Sequence, residues 1–346
     1  MDKVETILAN ADEVVTKEEL TEVLKKDHPK AYIGFEPSGT VHLGWKICTN
    51  KIKDFLNAGF DFTVLLADWH AYINDKLGGD IETIKLCGRY MEDCFAAMGV
   101  DTEKVTFVYA SEYVSDPEYW ELVLKTSKAV SVARVKRAMD IMGRGAEEAE
   151  KDLSKLFYPA MQVADIFYLD LDVAYGGTDQ RHAHMLARDV AKKINMKSPV
   201  ALHTPLLTGL QAGGRMNPTE AKMSKSKPDS MISIHDTDDE VNRKLKKAYC
   251  PEKEVEGNPV LEMCKYVVFP ELDDVFLIKR PEKWGGNLEF KSYQELEDAF
   301  KKDLHPLDVK KATARYLNQI LEPIRAYFKD HPENYDKMKK SGIITR

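Results

Sequence analysis

The sequence predicts an α/β protein with a Rossmann-type parallel sheet and a helical insertion, followed by an all-helical domain. Buried apolar runs at 31–35, 62–67 and 105–109 alternate with helical patterns over about 43–58 and 81–98. Strands that alternate with helices in this way are typical of a parallel sheet with right-handed crossovers. The alternation resumes after residue 170, and the pattern beyond residue 230 is helical.

Length and composition indicate an ordinary globular protein of two domains. The chain has 346 residues, of which 43% are hydrophobic and 31% charged. No apolar run approaches the roughly 20 residues of a membrane helix, so no membrane partner is expected. With a net charge of −7, the protein has no overall positive field that would attract nucleic acid, although local contacts with RNA are not excluded. The five cysteines lack a CxxC spacing, which favours reduced thiols and a cytoplasmic location.

Individual elements follow from local patterns. Apolar residues recur at helical spacing over 4–15, and Thr16 with Glu19 forms the capping box of a second helix. Residues 113–170 are mostly helical and interrupt the alternation of strands and helices. We therefore expect a Rossmann-type domain at 1–212 with an insertion at about 113–170, a loop and linker at 213–230, and the helical domain at 231–346.

Polar residues follow the predicted strands at their carboxyl ends, where parallel sheets bind ligands. Residues 36–42 follow the first strand, 68–70 the second, and Glu112 the third. The glycine pair 176–177 lies between a later strand and a helix, where backbone can approach a ligand closely. Asp179, just behind it, can accept a hydrogen bond from a ribose hydroxyl.

Two runs point to phosphate chemistry. The run KMSKSK at 222–227 combines lysines and serines on a loop, which suits a phosphate clamp, although by composition alone it is a solvated linker. Far upstream lies PSGTVHLG at 37–44. Together the two runs resemble the KMSKS and HIGH signatures of class I aminoacyl-tRNA synthetases. The HIGH position reads HLGW, so its second histidine is absent.

The chemistry of amino-acid activation fits these residue types. A carboxylate attacks the α-phosphorus of ATP, pyrophosphate leaves, and negative charge spreads over phosphate oxygens, so positioned donors and cations are needed. His42 can donate to a phosphate oxygen. Lys222 and Lys225 on a mobile loop can close on the departing pyrophosphate. These three are the predicted catalytic residues.

Five runs recur in this order in tyrosyl-tRNA synthetases of the archaeal and eukaryotic type: YIGFEPSG at 32–39, LLADWHAY at 65–72, YPAMQVAD at 158–165, GGTDQR at 176–181 and KMSKS at 222–226. The resemblance spans about residues 1–328. It implies a tyrosine–tRNA ligase that forms tyrosyl-adenylate and then charges tRNA. It also implies ATP as a substrate, Mg²⁺ with the ATP phosphates, and a homodimer.

The resemblance also implies roles for individual residues. Tyr32 and Asp165 would hydrogen-bond the substrate phenol. The α-amino group would be held by Tyr158, Gln162 and Gln180, with Glu36 nearby, and the pocket would be lined by Leu65, His70 and Glu112. The residues that would serve ATP are Gly39, His42, Gly44, Gly176, Asp179, Lys222, Met223, Ser224, Lys225 and Ser226.

Residues further along resemble tRNA-reading segments of the same family. The runs RPEKWGG at 280–286 and HPLD at 305–308 correspond to its anticodon-reading segments. Trp284 would stack on the first anticodon base and Asp308 would hydrogen-bond to it, with His305 beside them. From the residues alone, a core tryptophan and a helix-capping acid are equally open. Arg137 lies in a basic stripe within the insertion and would contact the acceptor end.

Other functions remain open at this point. A tryptophanyl-tRNA synthetase of the same subclass is the nearest alternative, although indole does not need the phenol-binding pair. A catalytically silent RNA-binding paralogue and a nucleotidylyltransferase are further alternatives. No metal site is predicted, because His182 and His184 lie two apart on a helix and point to different sides.

Overall fold

The computed structural model describes residues 2–143, 152–211 and 228–342. The chain divides into two compact units. The first contains Met1–Gly39, Lys51–Pro205 and Glu333–Arg346, and the second contains Thr40–Asn50 and Leu206–Pro332. Within the described ranges, we find no helix with both the length and the apolar character needed to cross a membrane.

The described part of the first unit is organised around a six-stranded sheet. Its strands are β1 (Glu13–Val15), β2 (Lys30–Phe35), β3 (Asp61–Leu66), β4 (Val105–Tyr109), β5 (Val173–Gly177) and β6 (Val200–Thr204). The order across the sheet is β1-β6-β5-β2-β3-β4, and only the β1–β6 pair is antiparallel. The strand order reverses between β2 and β5, and the crevice at such a switch point is where parallel sheets bind ligands. The α/β prediction is confirmed.

Helices separate the strands and supply most of the remaining core. In chain order they are α1 (Lys3–Leu8), α2 (Lys17–Val23), α3 (Trp45–Ala58), α4 (Asp68–Ile73), α5 (Ile81–Ala97), α6 (Pro117–Ala129), α7 (Val132–Ala138), α8 (Ser154–Tyr168) and α9 (Arg181–Ile194). One core cluster joins Tyr32 of β2 and Leu65 of β3 to buried residues of α6, α8 and α9. The insertion helices therefore pack directly on the strands that end at the crevice.

The predicted helix over residues 4–15 is wrong in its second half. Helix α1 ends at Leu8, Asn10 has a left-handed φ of 56°, and β1 follows. The ammonium group of Lys51 ends the helix by donating hydrogen bonds to the carbonyl oxygens of Ile7 and Ala9. A distant lysine that satisfies helix-terminal carbonyls leaves no local signal. The capping box of Thr16 and Glu19 on α2 is present as predicted.

The second unit is mainly helical in its described residues. Its helices are α10 (Asp238–Lys247), α11 (Pro259–Met263), α12 (Tyr293–Lys302) and α13 (Pro306–Asp330). Strands β7 (Phe276–Ile278) and β8 (Leu288–Phe290) form an antiparallel pair that the all-helical prediction lacked. Three-residue strands are too short to show a period of two.

The last helix, α14 (Glu333–Lys340), belongs to the first unit rather than to the domain predicted for 231–346. Asn334 donates a hydrogen bond to Asp93 of α5 at 2.9 Å. The ring of Tyr335 stacks on that of Tyr90, with centroids 5.8 Å apart. These contacts tie the end of the described chain to α5.

Candidate active site

A buried carboxylate, Asp165 of α8, lies at the centre of the candidate site. It is 1% exposed. Its Oδ1 accepts hydrogen bonds from the hydroxyls of Tyr113 and Tyr119 at 2.7 and 3.0 Å. Its Oδ2 lies 3.1 Å from Nε2 of His70, at ion-pair distance but without hydrogen-bond alignment, and no other described residue donates to it. A buried acceptor without a donor marks a place for a ligand hydroxyl or amine.

His70 of α4 lies among three carboxylates and the ring of Tyr158. Burial by itself disfavours the imidazolium, but the carboxylates of Asp165, Glu36 and Asp68 more than offset this and raise the pKa of His70. The ring of Tyr158 meets the imidazole edge to face, with centroids 5.0 Å apart. The raised pKa favours the imidazolium form of His70 close to the unfilled oxygen of Asp165.

Tyr32 of β2 places a second polar group in the same buried region. Burial first, and then the charge of Asp165, raise its pKa, while a hydrogen bond from Gln162 acts in the opposite direction. The net shift is upward, so the hydroxyl keeps its proton and can both donate and accept. The structure thus brings together Tyr32 and Asp165, the two residues predicted to bind a phenol.

A separate cluster of polar side chains surrounds Glu36, just beyond the end of β2. Its carboxylate accepts a hydrogen bond from Tyr158 at 2.8 Å and from the amide of Asn74 at 2.8 Å. Lys76 lies 3.3 Å away. Asn74 also donates to the carbonyl of Met142 and so fixes the carboxylate to the insertion. Glu36 is therefore a carboxylate that three donors hold in place, and a carboxylate is a strong acceptor for an ammonium group.

The amides of Gln162 and Gln180 connect α8 to the turn after β5. Gln162 donates to Gln180 at 3.1 Å, and the buried carbonyl oxygen of Gln162 has no donor among the described residues. A Cβ at Gly176 would stand 3.1 Å from Cβ of Gln180 and 3.2 Å from Cε1 of His184. Glycine at this position therefore lets the turn approach Gln180 closely.

A chain of four polar side chains runs behind this turn. Arg181 binds both carboxylate oxygens of Glu13, Glu13 lies 2.9 Å from Nδ1 of His203, and Nε2 of His203 lies 3.0 Å from Nδ1 of His184. Because a carboxylate only accepts, His203 donates through Nδ1 and accepts at Nε2, so His184 donates through Nδ1. His182 points elsewhere and contacts Asp140 at 2.7 Å, as expected of residues two apart on a helix.

The buried histidine pair makes stability depend on pH. Burial, followed by the charge of His203, lowers the pKa of His184 from 6.5 to about 3. The unfolded chain therefore binds more protons between these values, and the free energy of unfolding falls as pH drops below 6.5. From pH 7 to 5 this group should remove about 2 kcal/mol. In urea unfolding at both pH values, His184→Gln should flatten the dependence of the free energy of unfolding on pH. A slope that His184→Gln does not alter contradicts this.

Several predicted residues lie apart from the Asp165 group. Glu112 is exposed, and its carboxylate accepts from the backbone N–H of Tyr109. Asp179 is half-buried in the turn after β5. Gly39, with φ of 114°, donates from its backbone to Sγ of Cys87 at 3.2 Å. Arg137 is exposed on α7. Leu65, by contrast, is buried in the same core cluster as Tyr32.

His42 and Gly44 belong to the second unit, where their segment is pinned to residues 232–234. Leu43 donates to the carbonyl of Ile232 at 2.8 Å. The backbone N–H of Gly44 donates to Nδ1 of His42 at 3.1 Å, so the neutral ring carries its proton on Nε2. The residues Lys222, Met223, Ser224, Lys225 and Ser226 lie outside the described residues.

The residues predicted to read an anticodon also lie in the second unit. Trp284 is 66% exposed, with the ammonium group of Lys283 5.7 Å from its ring centroid. A core role for this tryptophan is therefore excluded. Asp308 lies in the first turn of α13, 4.0 Å from Arg280, and His305 provides the N-cap. An exposed indole and a separate acid are thus available on this unit.

Sequence reasoning missed three residues of the site. Tyr113, Tyr119 and Asn74 each hydrogen-bond a carboxylate that the sequence analysis had identified. Position offered one signal, because Tyr113 immediately follows Glu112 at the end of β4. Across the described residues, no three His, Cys, Asp or Glu side chains are grouped to hold a metal ion.

Known proteins resemble this chain both in sequence and in structure. A family model described as class I tRNA synthetases (W and Y) matches residues 24–322. A tyrosine–tRNA ligase of Saccharolobus islandicus is 52% identical over 99% of both chains, and one of Sulfolobus acidocaldarius is 54% identical over 94% of this chain and 93% of its own. The tyrosyl-tRNA synthetase of Pyrococcus horikoshii, solved with L-tyrosine, is 42% identical with a TM-score of 0.91, covering 98% of this chain and all of its own.

Proposed function

We propose that this chain, which belongs to the class I tRNA synthetase family of tryptophan and tyrosine enzymes, is a tyrosine–tRNA ligase. Family membership alone does not distinguish tyrosine from tryptophan as the substrate, whereas the relatives named above are tyrosine enzymes. The structural observation that carries the choice is the pair of Asp165 and Tyr32. Oδ2 of Asp165 is a buried acceptor without a hydrogen-bond donor among the described residues, and the buried hydroxyl of Tyr32 keeps its proton.

A phenol fits this site better than an indole. A phenol hydroxyl donates one hydrogen bond and also accepts, whereas an indole N–H only donates. Asp165 offers the acceptor, and the protonated hydroxyl of Tyr32 offers a donor. A site built to bond a hydroxyl rejects the analogue that lacks it, a principle for which tyrosine-activating synthetases are themselves a standard example. Phenylalanine would leave both groups unpaired.

The remaining polar side chains are assigned to the α-ammonium group of the substrate tyrosine. Glu36, with Tyr158 and the amides of Gln162 and Gln180, holds the α-ammonium group of tyrosine. The tyrosine carboxylate is then free to attack the α-phosphorus of ATP; a new C–O–P linkage forms as the bond to pyrophosphate breaks. No protein nucleophile is required, and the proton of Tyr32 stays in place.

His42, Lys222 and Lys225 are assigned to the phosphates. The Nε2–H of His42 is a neutral donor whose tautomer the Gly44 amide fixes. Donors aimed at developing phosphate charge stabilise the transition state. Lysine ammonium groups add point charge for the pyrophosphate. Mg²⁺ belongs to the substrate in this scheme, because it arrives with the ATP phosphates.

The proposed function is tested by charging tRNA. The chain should esterify radiolabelled tyrosine, and not tryptophan, to a tRNA bearing a tyrosine anticodon. Charging with tryptophan would agree with the family but would contradict tyrosine as the substrate. A chain that binds tRNA but charges it with neither amino acid would be a silent RNA-binding paralogue.

Anticodon recognition is proposed for the second unit. Stacking a base on an exposed aromatic ring contributes about 1–3 kcal/mol, so Trp284→Ala should raise KM for tRNA about ten-fold. Tyrosine activation without tRNA should stay unchanged, because that assay contains no anticodon for Trp284 to bind. Met196→Ala, which also removes an exposed apolar side chain, is the control. Equal KM values for tRNA in both variants would argue against a reading role.

A homodimer is proposed from exposed apolar side chains on α6. Trp120 and Leu124 are 41% and 62% exposed and lie one helical turn apart, so they are neighbours on the surface of α6. Burial against a second copy would remove this surface from water. Sedimentation should give a mass near twice 39.4 kDa, and Leu124→Glu should reduce it. A monomeric wild-type chain at micromolar concentration would contradict the proposal.

A cytoplasmic location is proposed from the thiols. All five cysteines are free, and four of them are buried. Reduced, unpaired cysteines are typical of reducing compartments. Cell fractionation would test this, and recovery in a secreted fraction would contradict it.

A further inference from the structure

Two tyrosines without a role in the scheme above converge on Asp165. The hydroxyls of Tyr113 and Tyr119 lie 2.7 and 3.0 Å from the same atom, Oδ1. Tyr113 follows β4 and Tyr119 lies in the first turn of α6, so two separate elements present hydroxyls to one oxygen. Both residues are buried. Packing does not require this, because phenylalanine would fill nearly the same volume without burying a hydroxyl.

The two hydroxyls decide which oxygen of Asp165 can take a ligand. A carboxylate oxygen accepts about two hydrogen bonds, so Tyr113 and Tyr119 fill Oδ1. Oδ2 has no hydrogen-bond donor among the described residues. A ligand hydroxyl is therefore accepted at Oδ2, on the side that His70 faces.

Both tyrosines act as donors at physiological pH. Burial, followed by the charge of Asp165, raises the pKa of Tyr113 well above its ordinary value, and burial and Asp165 act in the same way on Tyr119. The hydroxyl of Tyr119 also lies 3.3 Å from the carbonyl oxygen of Met161, so its single proton is shared. Tyr113 makes the shorter bond and is the stronger of the two.

We propose that Tyr113, assisted by Tyr119, is a positioning residue that sets the selectivity of the site for tyrosine over phenylalanine. The proposal rests on the proposed function, because the selected group is the phenol of the substrate. The two donors hold the carboxylate in one orientation, with Oδ2 presented to the ligand. Without the Tyr113 hydroxyl, Oδ1 keeps only the shared proton of Tyr119, and the carboxylate loses that fixed orientation.

The test compares ATP–pyrophosphate exchange with tyrosine and with phenylalanine for Tyr113→Phe. Loss of one hydrogen bond to a carboxylate should raise KM for tyrosine about ten-fold, with kcat changed less than about three-fold. The rate with phenylalanine should stay unchanged, so the selectivity ratio should fall about ten-fold. Tyr119→Phe should lower it by about three-fold, because that proton is already shared.

Tyr168→Phe is the matched control. Tyr168 stacks on Tyr113 with centroids 5.0 Å apart, but its hydroxyl donates to Asp116 rather than to Asp165. This variant should keep the wild-type ratio. The proposal is overturned if Tyr113→Phe keeps the ratio, or if Tyr168→Phe lowers it equally. Should circular dichroism show Tyr113→Phe unfolded, an unchanged ratio in Tyr119→Phe overturns it. A wild-type chain that does not exchange with tyrosine refutes the proposed function instead.

Discussion

Replacing Asp165 by asparagine is expected to lower kcat/KM for tyrosine about 10³-fold, because the site loses the charged acceptor proposed for the phenol. Asparagine keeps the volume of the side chain. Its carbonyl can still accept from Tyr113 and Tyr119, so its NH₂ group then takes the place of Oδ2. A donor would face the donating hydroxyl of the substrate. The change should appear mainly as a higher KM in ATP–pyrophosphate exchange.

Two comparisons make the result specific. Activation of phenylalanine should change little in Asp165→Asn, because that side chain has no hydroxyl to lose. Asp116→Asn is the matched control, since Asp116 accepts a hydrogen bond from Tyr168 at 2.7 Å outside the substrate site. Asparagine also caps a helix as well as aspartate does, so α6 should keep its start. Tyrosine activation that survives in Asp165→Asn would refute the assignment of Asp165 to the phenol.

Replacing Gly44 by alanine is expected to reduce kcat for adenylate formation about 10²-fold, because it displaces His42, the donor proposed for the transition state. A Cβ at this position would stand 2.8 Å from both Cε1 and Nδ1 of His42. The imidazole must turn away, which also breaks its hydrogen bond with the Gly44 amide. Rotation of one side chain costs the fold little, so KM for tyrosine and thermal stability should stay near wild type.

A double-mutant cycle shows whether Gly44→Ala acts through His42. His42→Ala should lower kcat by a similar factor, and the double variant should be no slower than His42→Ala alone. Stopped-flow measurement of adenylate formation, without tRNA, gives the rates directly. Additive losses in the double variant would mean that Gly44 serves ATP by another route.

Much of the fold could be predicted from the sequence because its signals are local. The strand predicted for 105–109 coincides with Val105–Tyr109, and the capping box at Thr16 is present. Helix α5 begins at the predicted residue, Ile81, and ends one residue before the predicted end. Each of these features depends on residues that are adjacent or one helical turn apart.

The features that were missed depend on distant partners. Strand β1 exists through its pairing with β6, where Glu13 lies opposite His203, and its three residues are too few to show a pattern. The β7–β8 pair is equally short. Tyr113 and Tyr119 could not be assigned because only the tertiary packing of the segment after β4 and of α6 against α8 reveals that both meet Asp165. A motif identifies the acid, whereas tertiary structure identifies what positions it.

The most direct test of the central claim is ATP–pyrophosphate exchange with each of the twenty amino acids, without tRNA. A site built around Asp165 and Tyr32 predicts exchange with tyrosine, with phenylalanine and tryptophan lower by orders of magnitude. Exchange led by tryptophan would contradict the assignment of the pocket. The absence of exchange with every amino acid would contradict the proposal that the chain activates an amino acid with ATP.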